Sequence, residues 1–133
     1  MDMETLDNNV LSSCFNEVIA LRQTIDIIRG TSLTVNIAVT SADGVPYELT
    51  SSDRLRFCVK RDLDDDECVI EKELTSAQYN DGVYMLHLSP NDTETLDVGR
   101  YYYDCGLQLD GEYYMIIEKS HFNIMANVSS RNV

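Results

Sequence analysis

The hydrophobic period of this chain changes once, near Gln23, and this change most constrains its fold. From Gln23 onward, apolar residues recur at every second position, as in SLTVNIAV (32–39) and RLRFCVK (54–60). Such alternation places one face of a strand on a core and the other in solvent. Six further segments read as strands: TIDII (24–28), ECVIEKEL (67–74), GVYMLHLS (82–89), RYYYDCGLQLD (100–110), EYYMIIE (112–118) and HFNIMANV (121–128). About eight short strands predict an all-β sandwich or barrel.

Before this change, the segment DNNVLSSCFNEVIAL (7–21) has its apolar residues at the spacing of one helical face, with Asp7 available as a cap. We predict a short amphipathic helix here. Its apolar stripe includes Leu11, Val18 and Leu21, which either pack on their own domain or dock on a neighbouring subunit. The predicted organisation is therefore a helical docking segment (1–22), a β-sandwich (23–129) and a polar tail (130–133).

The charge of the chain limits its partners. Its 133 residues suit one domain, and 23 acidic against 10 basic residues give a net charge of −13. Such a field repels nucleic acid and anionic membranes, and no apolar run approaches the roughly 20 residues that span a bilayer. The acidic start MDMETLDNN is unlike a signal peptide. We expect synthesis in the cytoplasm, with no nucleic-acid or membrane partner.

The four cysteines have neither a CxxC spacing nor a zinc-finger arrangement with histidine. In a reducing compartment, buried or half-buried free thiols are expected. Cys58 and Cys68 are the pair to examine, because they fall on adjacent strands of one predicted hairpin. Their redox state stays open at this point.

The acidic stretch RDLDDDECVIEKE (61–73) resembles a calcium loop. Asp62, Asp64, Asp66 and Glu73 fall at loop positions 1, 3, 5 and 12. However, Glu67 occupies the position that requires glycine, and the flanking residues alternate as strands. We therefore predict a solvated turn that holds no specific metal, although a weak surface cation would be tolerated. No cofactor is expected.

Neither histidine lies in a catalytic motif. His87 and His121 fall within predicted strands, and the chain contains no GxSxG, no glycine-rich phosphate loop and no HExxH. A strand-surface or core-edge position is the more frequent role for such residues. We therefore predict a protein that is not an enzyme.

The segment LSPNDTETLDVGRYYYDCGLQL (88–109) predicts a corner between two strands. Asn91 or Asp92 would cap one helical turn. The order Asp97, Gly99, Tyr101 then matches the corner at which immunoglobulin-like sandwiches enter strand F, where a tyrosine hydroxyl bonds to upstream backbone. These three residues are the predicted structural corner.

The tyrosines near this corner are predicted to divide between two faces. Alternation places Tyr101, Tyr103 and Tyr113 inward, whereas Tyr102 and Tyr114 face outward. Outward rings keep a carbohydrate- or host-surface-binding module among the alternatives, with Tyr102 and Tyr114 as possible partner-binding residues. Cross-strand pairing of tyrosines is the more frequent arrangement.

Two motifs then suggest a family resemblance: G-x-P-Y-x-L (44–49) and L-x-P-x-D-T-x-x-L-x-x-G-x-Y-x-Y-D (88–104). With the strand succession of residues 24–128, they resemble small immunoglobulin-like structural proteins of phages and prophages of Gram-positive bacteria. The likeness is greatest to the N-terminal domain of lactococcal-type upper baseplate proteins. The resemblance implies a fold: an immunoglobulin-like antiparallel β-sandwich of about seven to eight strands with a short N-terminal helix.

The resemblance also implies a function: a non-enzymatic virion protein of the tail, baseplate or fibre attachment, which assembles with copies of itself and with other virion proteins. The chain departs from such proteins in its N-terminal helix-like segment and in ending at Val133. The second departure admits capsid decoration or head-tail joining as an alternative. The charge of −13 leaves a further alternative, an acidic inhibitor that mimics DNA.

Overall fold

Two β-sheets pack face to face in the computed structural model, which describes residues 19–20, 22–41 and 43–128. Nine strands lie within these residues: β1 (Ile19–Ala20), β2 (Ile25–Ile28), β3 (Leu33–Thr40), β4 (Arg54–Lys60), β5 (Ile70–Leu74), β6 (Tyr79–Asn80), β7 (Val83–Leu88), β8 (Gly99–Leu109) and β9 (Glu112–Met125). A 3₁₀ turn (Ser76–Gln78) precedes β6, and one short helix, α1 (Pro90–Thr93), connects β7 to β8. The prediction of an all-β sandwich is confirmed.

The strand order is that of an immunoglobulin-like sandwich. One sheet has the order β1-β3-β7-β6 and the other β2-β9-β8-β4-β5. The N-terminal strand thus divides between the sheets, since β1 pairs with β3 and β2 pairs with β9. The β2–β9 pair is parallel, with Ile25 opposite Phe122, whereas the other strand pairs of the described residues are antiparallel. In the strand nomenclature of immunoglobulin domains, the first sheet has the order A, B, E, D and the second has the order A′, G, F, C, C′.

The core lies between the sheets and follows the predicted alternation. In β4, Leu55, Phe57 and Val59 are buried, whereas the residues between them are half-buried on the outer face. The Phe57 ring packs against Tyr103 and Phe122, with ring centroids 5.2 and 6.3 Å apart. Aromatic pairs at these separations add to the stability gained from burial alone.

Some predicted element boundaries differ from the structure. The predicted strands 112–118 and 121–128 form one strand, β9, which contains an irregularity where the prediction placed a turn. Ile19 and Ala20, predicted at the end of the N-terminal helix, form strand β1 because they pair with Thr40 and Val39. The rest of that helix prediction lies outside the described residues: 7–18, with Leu11 and Val18, and Leu21.

The helical turn α1 is present, but its cap differs from the prediction. Ser89 is the N-cap residue, and Pro90 occupies the first turn, where its missing N–H costs no hydrogen bond. The Asp92 carboxylate accepts the backbone N–H of Ser89 at 2.8 Å. Asp92 also pairs with the Lys72 ammonium of β5 at 2.9 Å. The acid predicted as a possible cap therefore acts from the third helical position, as in a capping box.

Tyr101 bonds to the backbone at the corner between α1 and β8. Its hydroxyl donates to the carbonyl oxygen of Asp97 at 2.7 Å, which is the hydrogen bond that the order of residues led us to expect. Gly99 adopts φ +149, and a Cβ there would lie 2.6 Å from a guanidinium nitrogen of Arg61. That guanidinium lies 4.7 Å from the centroid of the Tyr101 ring. A side chain at position 99 would therefore displace Arg61 from the ring.

Two other buried tyrosines bind distant backbone in the same way. The Tyr84 hydroxyl donates to the Tyr47 carbonyl at 2.6 Å and accepts from the Leu49 N–H at 2.8 Å. The Tyr103 hydroxyl donates to the Gln23 carbonyl. Burial raises the pKa of both tyrosines, so these hydroxyls stay protonated as donors. The sequence predicted neither hydrogen bond.

Cys58 on β4 and Cys68, just before β5, form a disulfide. The expectation of free thiols is wrong for this pair, because the hairpin brings their Cα atoms within 5.5 Å. Cys105 is free and buried, as expected, and burial raises the pKa of its thiol to about 12. Cys14 lies outside the described residues.

Removing the tyrosine hydroxyls tests how strongly these bonds stabilise the fold. We expect Tyr84→Phe to lower the free energy of unfolding by about 2–3 kcal/mol, because Leu49 N–H and the Tyr47 carbonyl both lose their partner. Tyr101→Phe, which breaks one bond, should cost about 1 kcal/mol. The exposed Tyr113→Phe is the matched control and should change it by less than about 0.5 kcal/mol. Equal losses in all three variants, measured by denaturant unfolding, would contradict this account.

Removing the disulfide tests its contribution to stability. Cys58 and Cys68 are 10 residues apart. Closing such a loop restricts the unfolded chain and is expected to stabilise the fold by about 2–3 kcal/mol. The double variant Cys58→Ser, Cys68→Ser should lose this amount in denaturant unfolding, and the wild type should lose it in a reductant. The double variant itself should not respond to the reductant; a response would point to another thiol.

Candidate functional site

A shallow concavity lies on the outer face of the five-stranded sheet, beside the Cys58–Cys68 disulfide. Its volume is about 440 Å³. Strands β4, β8 and β9 form its floor, and the turn after β4 contributes one wall. Its lining residues are Arg56, Cys58, Lys60, Leu63, Asp66, Cys68, Glu71, Tyr102, Tyr103, Asp104, Tyr113, Met115 and Lys119.

Cross-strand register brings these side chains together. In β4 and β8, Lys60 lies opposite Tyr102 and Cys58 opposite Asp104. Gly106 follows two residues later on the same face of β8, opposite Arg56. Because successive side chains of a strand alternate, residues two apart share one face. The outer face therefore presents a ring, a carboxylate and a glycine in succession along β8.

Tyr102 faces away from Tyr101 and Tyr103, as the alternation predicted. Tyr101 and Tyr103 are buried, whereas Tyr102 is half-buried and lines the concavity. Its ring centroid lies 5.7 Å from that of His121 on β9. The Lys119 ammonium lies 5.7 Å from the same ring. These two contacts hold the ring in place on the sheet.

The predicted faces of Tyr113 and Tyr114 are wrong. Tyr113 is 48% exposed and lines the concavity, whereas Tyr114 packs against the core and its hydroxyl donates to Glu112 at 2.7 Å. The cause is the two-residue turn between β8 and β9, which pairs Leu109 with Glu112 and so places Tyr114 opposite the buried Leu107 and Tyr113 opposite Gln108. The prediction differed from this register by one residue, which moves each side chain to the opposite face of a sheet. The second outward-facing tyrosine of the concavity, beside Tyr102, is therefore Tyr113.

The Tyr113 ring packs directly on the backbone of Gly106. A Cβ at this position would lie 2.0 Å from the Tyr113 hydroxyl oxygen and 2.2 Å from Cζ. The ring thus lies directly over the glycine, where any side chain would displace it. A glycine inside a strand often marks a close approach of this kind. Position 106 is the signal in the sequence from which this part of the site could have been found.

The charges around the concavity are mixed. Arg56 lies 2.6 Å from Glu71 and 3.6 Å from Glu73, and Arg54 lies 3.6 Å from Glu73. Asp104 lines the same concavity, and burial raises its pKa although Lys60 acts to lower it. Burial, followed by the Asp104 charge, raises the pKa of Tyr113. The face can therefore offer charged hydrogen-bonding groups beside two aromatic rings.

The acidic turn after β4 forms hydrogen bonds within itself. The Asp65 carboxylate accepts the backbone N–H of Asp62 at 3.0 Å, and the Asp65 N–H donates to the Asp62 carbonyl at 3.0 Å. Among residues 19–20, 22–41 and 43–128, no group of three His, Cys, Asp or Glu side chains is placed to hold a metal ion. No helix of these residues is long and apolar enough to cross a membrane.

Asp104 and Asp92 give opposite predictions for the effect of pH on stability. Burial raises the pKa of Asp104 above 3.8, so its ionised form destabilises the folded protein increasingly as pH rises through this range. Burial by itself would raise the pKa of Asp92. The hydrogen bond from the Ser89 N–H and the charge of Lys72 together lower this pKa by more, so that it lies below 3.8. Its contribution to stability is present at neutral pH and is lost as pH falls through its folded pKa.

We expect Asp104→Asn to stabilise the protein at pH 7 and Asp92→Asn to destabilise it, with both differences shrinking towards pH 2. Denaturant unfolding across this pH range measures both variants against the wild type. The two substitutions are matched because each replaces a carboxylate by an amide of similar size. The same sign of change at pH 7 for both would contradict the assigned environments.

Comparison with known proteins adds no relative: no protein-family model matches the sequence, and neither does any curated protein.

Proposed function

We propose that this protein is a non-enzymatic structural subunit of a phage virion that acts by assembling with copies of itself and with other virion proteins. Its place is the tail, the baseplate or the attachment of a fibre, with capsid decoration or head-tail joining as the alternative positions. The observation that carries the proposal is the immunoglobulin-like sandwich, because the motifs of its corner and of its 44–49 crossing also carry the family resemblance. A fold supports many functions, so further features of the molecule matter.

Rigidity of the connecting segments supports an assembly role. Tyr84 binds the crossing between β3 and β4, and Tyr101 binds the corner before β8. The disulfide closes the β4–β5 connection. A subunit with ordered connections loses less conformational entropy when it assembles than one with loose loops.

The sheet edges supply a mechanism. Strands β2 and β5 form the two edges of the five-stranded sheet, and within the described residues each pairs with one neighbour only. Alternate backbone groups of an edge strand point away from the sheet and can pair with a strand of another chain. The apolar stripe predicted in the N-terminal segment, with Leu11 and Val18, would be a second contact.

The disulfide agrees with a location in the virion. Disulfides persist on virion surfaces and outside cells, whereas reducing systems keep cytosolic thiols free. A subunit made in the bacterial cytoplasm would therefore form the Cys58–Cys68 bond at or after particle release.

The DNA-mimic alternative finds less support on the outer face. It requires carboxylates spaced along one surface in the manner of phosphates. On β4 and β5, however, Arg54 and Arg56 pair with Glu71 and Glu73, so acidic and basic groups alternate. This surface therefore lacks the unbroken row of carboxylates that a DNA mimic needs.

Oligomeric mass tests the assembly role. Light scattering of the full chain should give a multiple of 15.1 kDa. Leu11→Asp or Val18→Asp should lower this mass, because each places a charge on the predicted apolar stripe. Asn16→Asp adds the same charge to the opposite side of the predicted helix and is the matched control, which should leave the mass unchanged.

Particle composition tests the virion role directly. Mass spectrometry of purified particles from a bacterium that carries the gene should find the chain at a fixed ratio to the other virion proteins. A chain that is monomeric at every soluble concentration and absent from the particles would refute the proposal.

A further inference from the structure

We propose that the concavity on the outer face of the five-stranded sheet binds a neutral saccharide between Tyr102 and Tyr113. This inference does not depend on the proposed virion role. The site lies on a sheet face, whereas the assembly contacts lie on strand edges and in the N-terminal segment.

Two aromatic rings from different strands line the same concavity. Tyr102 belongs to β8 and Tyr113 to β9, and the pairing of Tyr113 with Gln108 places its ring on the same outer face as Tyr102. Saccharide rings present flat C–H faces that pack on tyrosine rings, in pockets that combine aromatic walls with a few polar groups. The outer face supplies such a pair of rings.

Both rings are held in position before any ligand arrives. His121 and Lys119 contact Tyr102, each at 5.7 Å from its ring centroid. Gly106 lies beneath Tyr113, where a Cβ would come within 2.0–2.7 Å of three atoms of that side chain. Binding to prearranged rings costs little side-chain entropy, which favours a ligand that makes only weak individual contacts.

The charge of the lining selects the class of ligand. Three basic and three acidic side chains line the concavity, so their formal charges cancel within a chain of net charge −13: Arg56, Lys60, Lys119, Asp66, Glu71 and Asp104. An anionic ligand would meet the repulsion of the whole chain. A cationic ligand would meet Lys119, which already lies over the Tyr102 ring. A neutral ligand with many hydroxyls is repelled neither by the net negative charge nor by Lys119.

The charged groups offer matching partners for hydroxyls. Carboxylates such as Asp104 accept hydrogen bonds, and ammonium groups such as Lys60 donate them. Hydrogen bonds to ionised groups are stronger than those between neutral groups. Asp104 lies half-buried beside Tyr113, in an environment that burial has made less favourable to its charge. A saccharide hydroxyl donated to this carboxylate would stabilise the ionised form.

Titration of the full, disulfide-bonded chain tests this site. The neutral probes are the tetrasaccharides of glucose in α-1,4 and β-1,4 linkage, of mannose, of galactose and of N-acetylglucosamine. Tetragalacturonate and choline serve as the anionic and cationic arms. We expect at least one neutral probe to shift the backbone amide NMR signals of Asp104, Gly106 and Tyr113, with a dissociation constant measurable by calorimetry.

Variants connect this binding to the two rings. Tyr102→Ala and Tyr113→Ala should each weaken it by about tenfold or more, whereas Tyr113→Phe, which keeps the ring, should retain it. Tyr114→Phe is the matched control on the inner face and should bind as the wild type does. NMR spectra of the free variants verify that each is folded.

Three results would overturn the inference. The first is an absence of signal shifts on the outer face with all five neutral probes at millimolar concentration. The second is neutral-probe binding that persists in both alanine variants. The third is tighter binding of tetragalacturonate or choline than of any neutral probe, which would assign the face to a charged ligand.

Discussion

Hydrogen bonds from buried tyrosine hydroxyls to backbone carbonyls determine how the irregular segments attach to this sandwich. Tyr84 binds the crossing at residues 47–49, Tyr101 binds the corner at Asp97, and Tyr103 binds Gln23, where the chain passes from β1 to β2. Each ring lies in the core while its hydroxyl satisfies a carbonyl that regular sheet pairing leaves free. The sheets supply the buried area, and these bonds fix where the chain enters and leaves them.

The two-residue turn between β8 and β9 has the largest consequence for the outer face. It pairs Leu109 with Glu112, so Leu107 lies opposite Tyr114 and Gln108 opposite Tyr113. Because Leu107 is buried, Tyr114 faces the core and Tyr113 faces outward, where its ring lies over Gly106. The concavity therefore owes its second aromatic ring to the register that this turn sets.

The molecule separates two kinds of surface. The edges at β2 and β5 present backbone groups suited to pairing with another chain, whereas the outer face presents rings and balanced charges suited to a small polar ligand. The disulfide lies between them, since it borders the concavity and also fixes the hairpin that carries β5. An assembly subunit with a saccharide site would use both surfaces at once, because neither obstructs the other.

The sequence by itself determined the all-β class, most strand positions and the corner formed by Asp97, Gly99 and Tyr101. Period-two alternation and turn chemistry are local properties of the chain, which is why they could be predicted. It also placed Tyr102 outward, since alternation holds within the regular part of β8. Tertiary structure alone decided the disulfide, the partners of Tyr84 and Tyr103, and the faces of Tyr113 and Tyr114. The tyrosine partners depend on contacts between segments remote in the chain, and the disulfide and the tyrosine faces depend on strand register. Alternation within one strand carries no information about either.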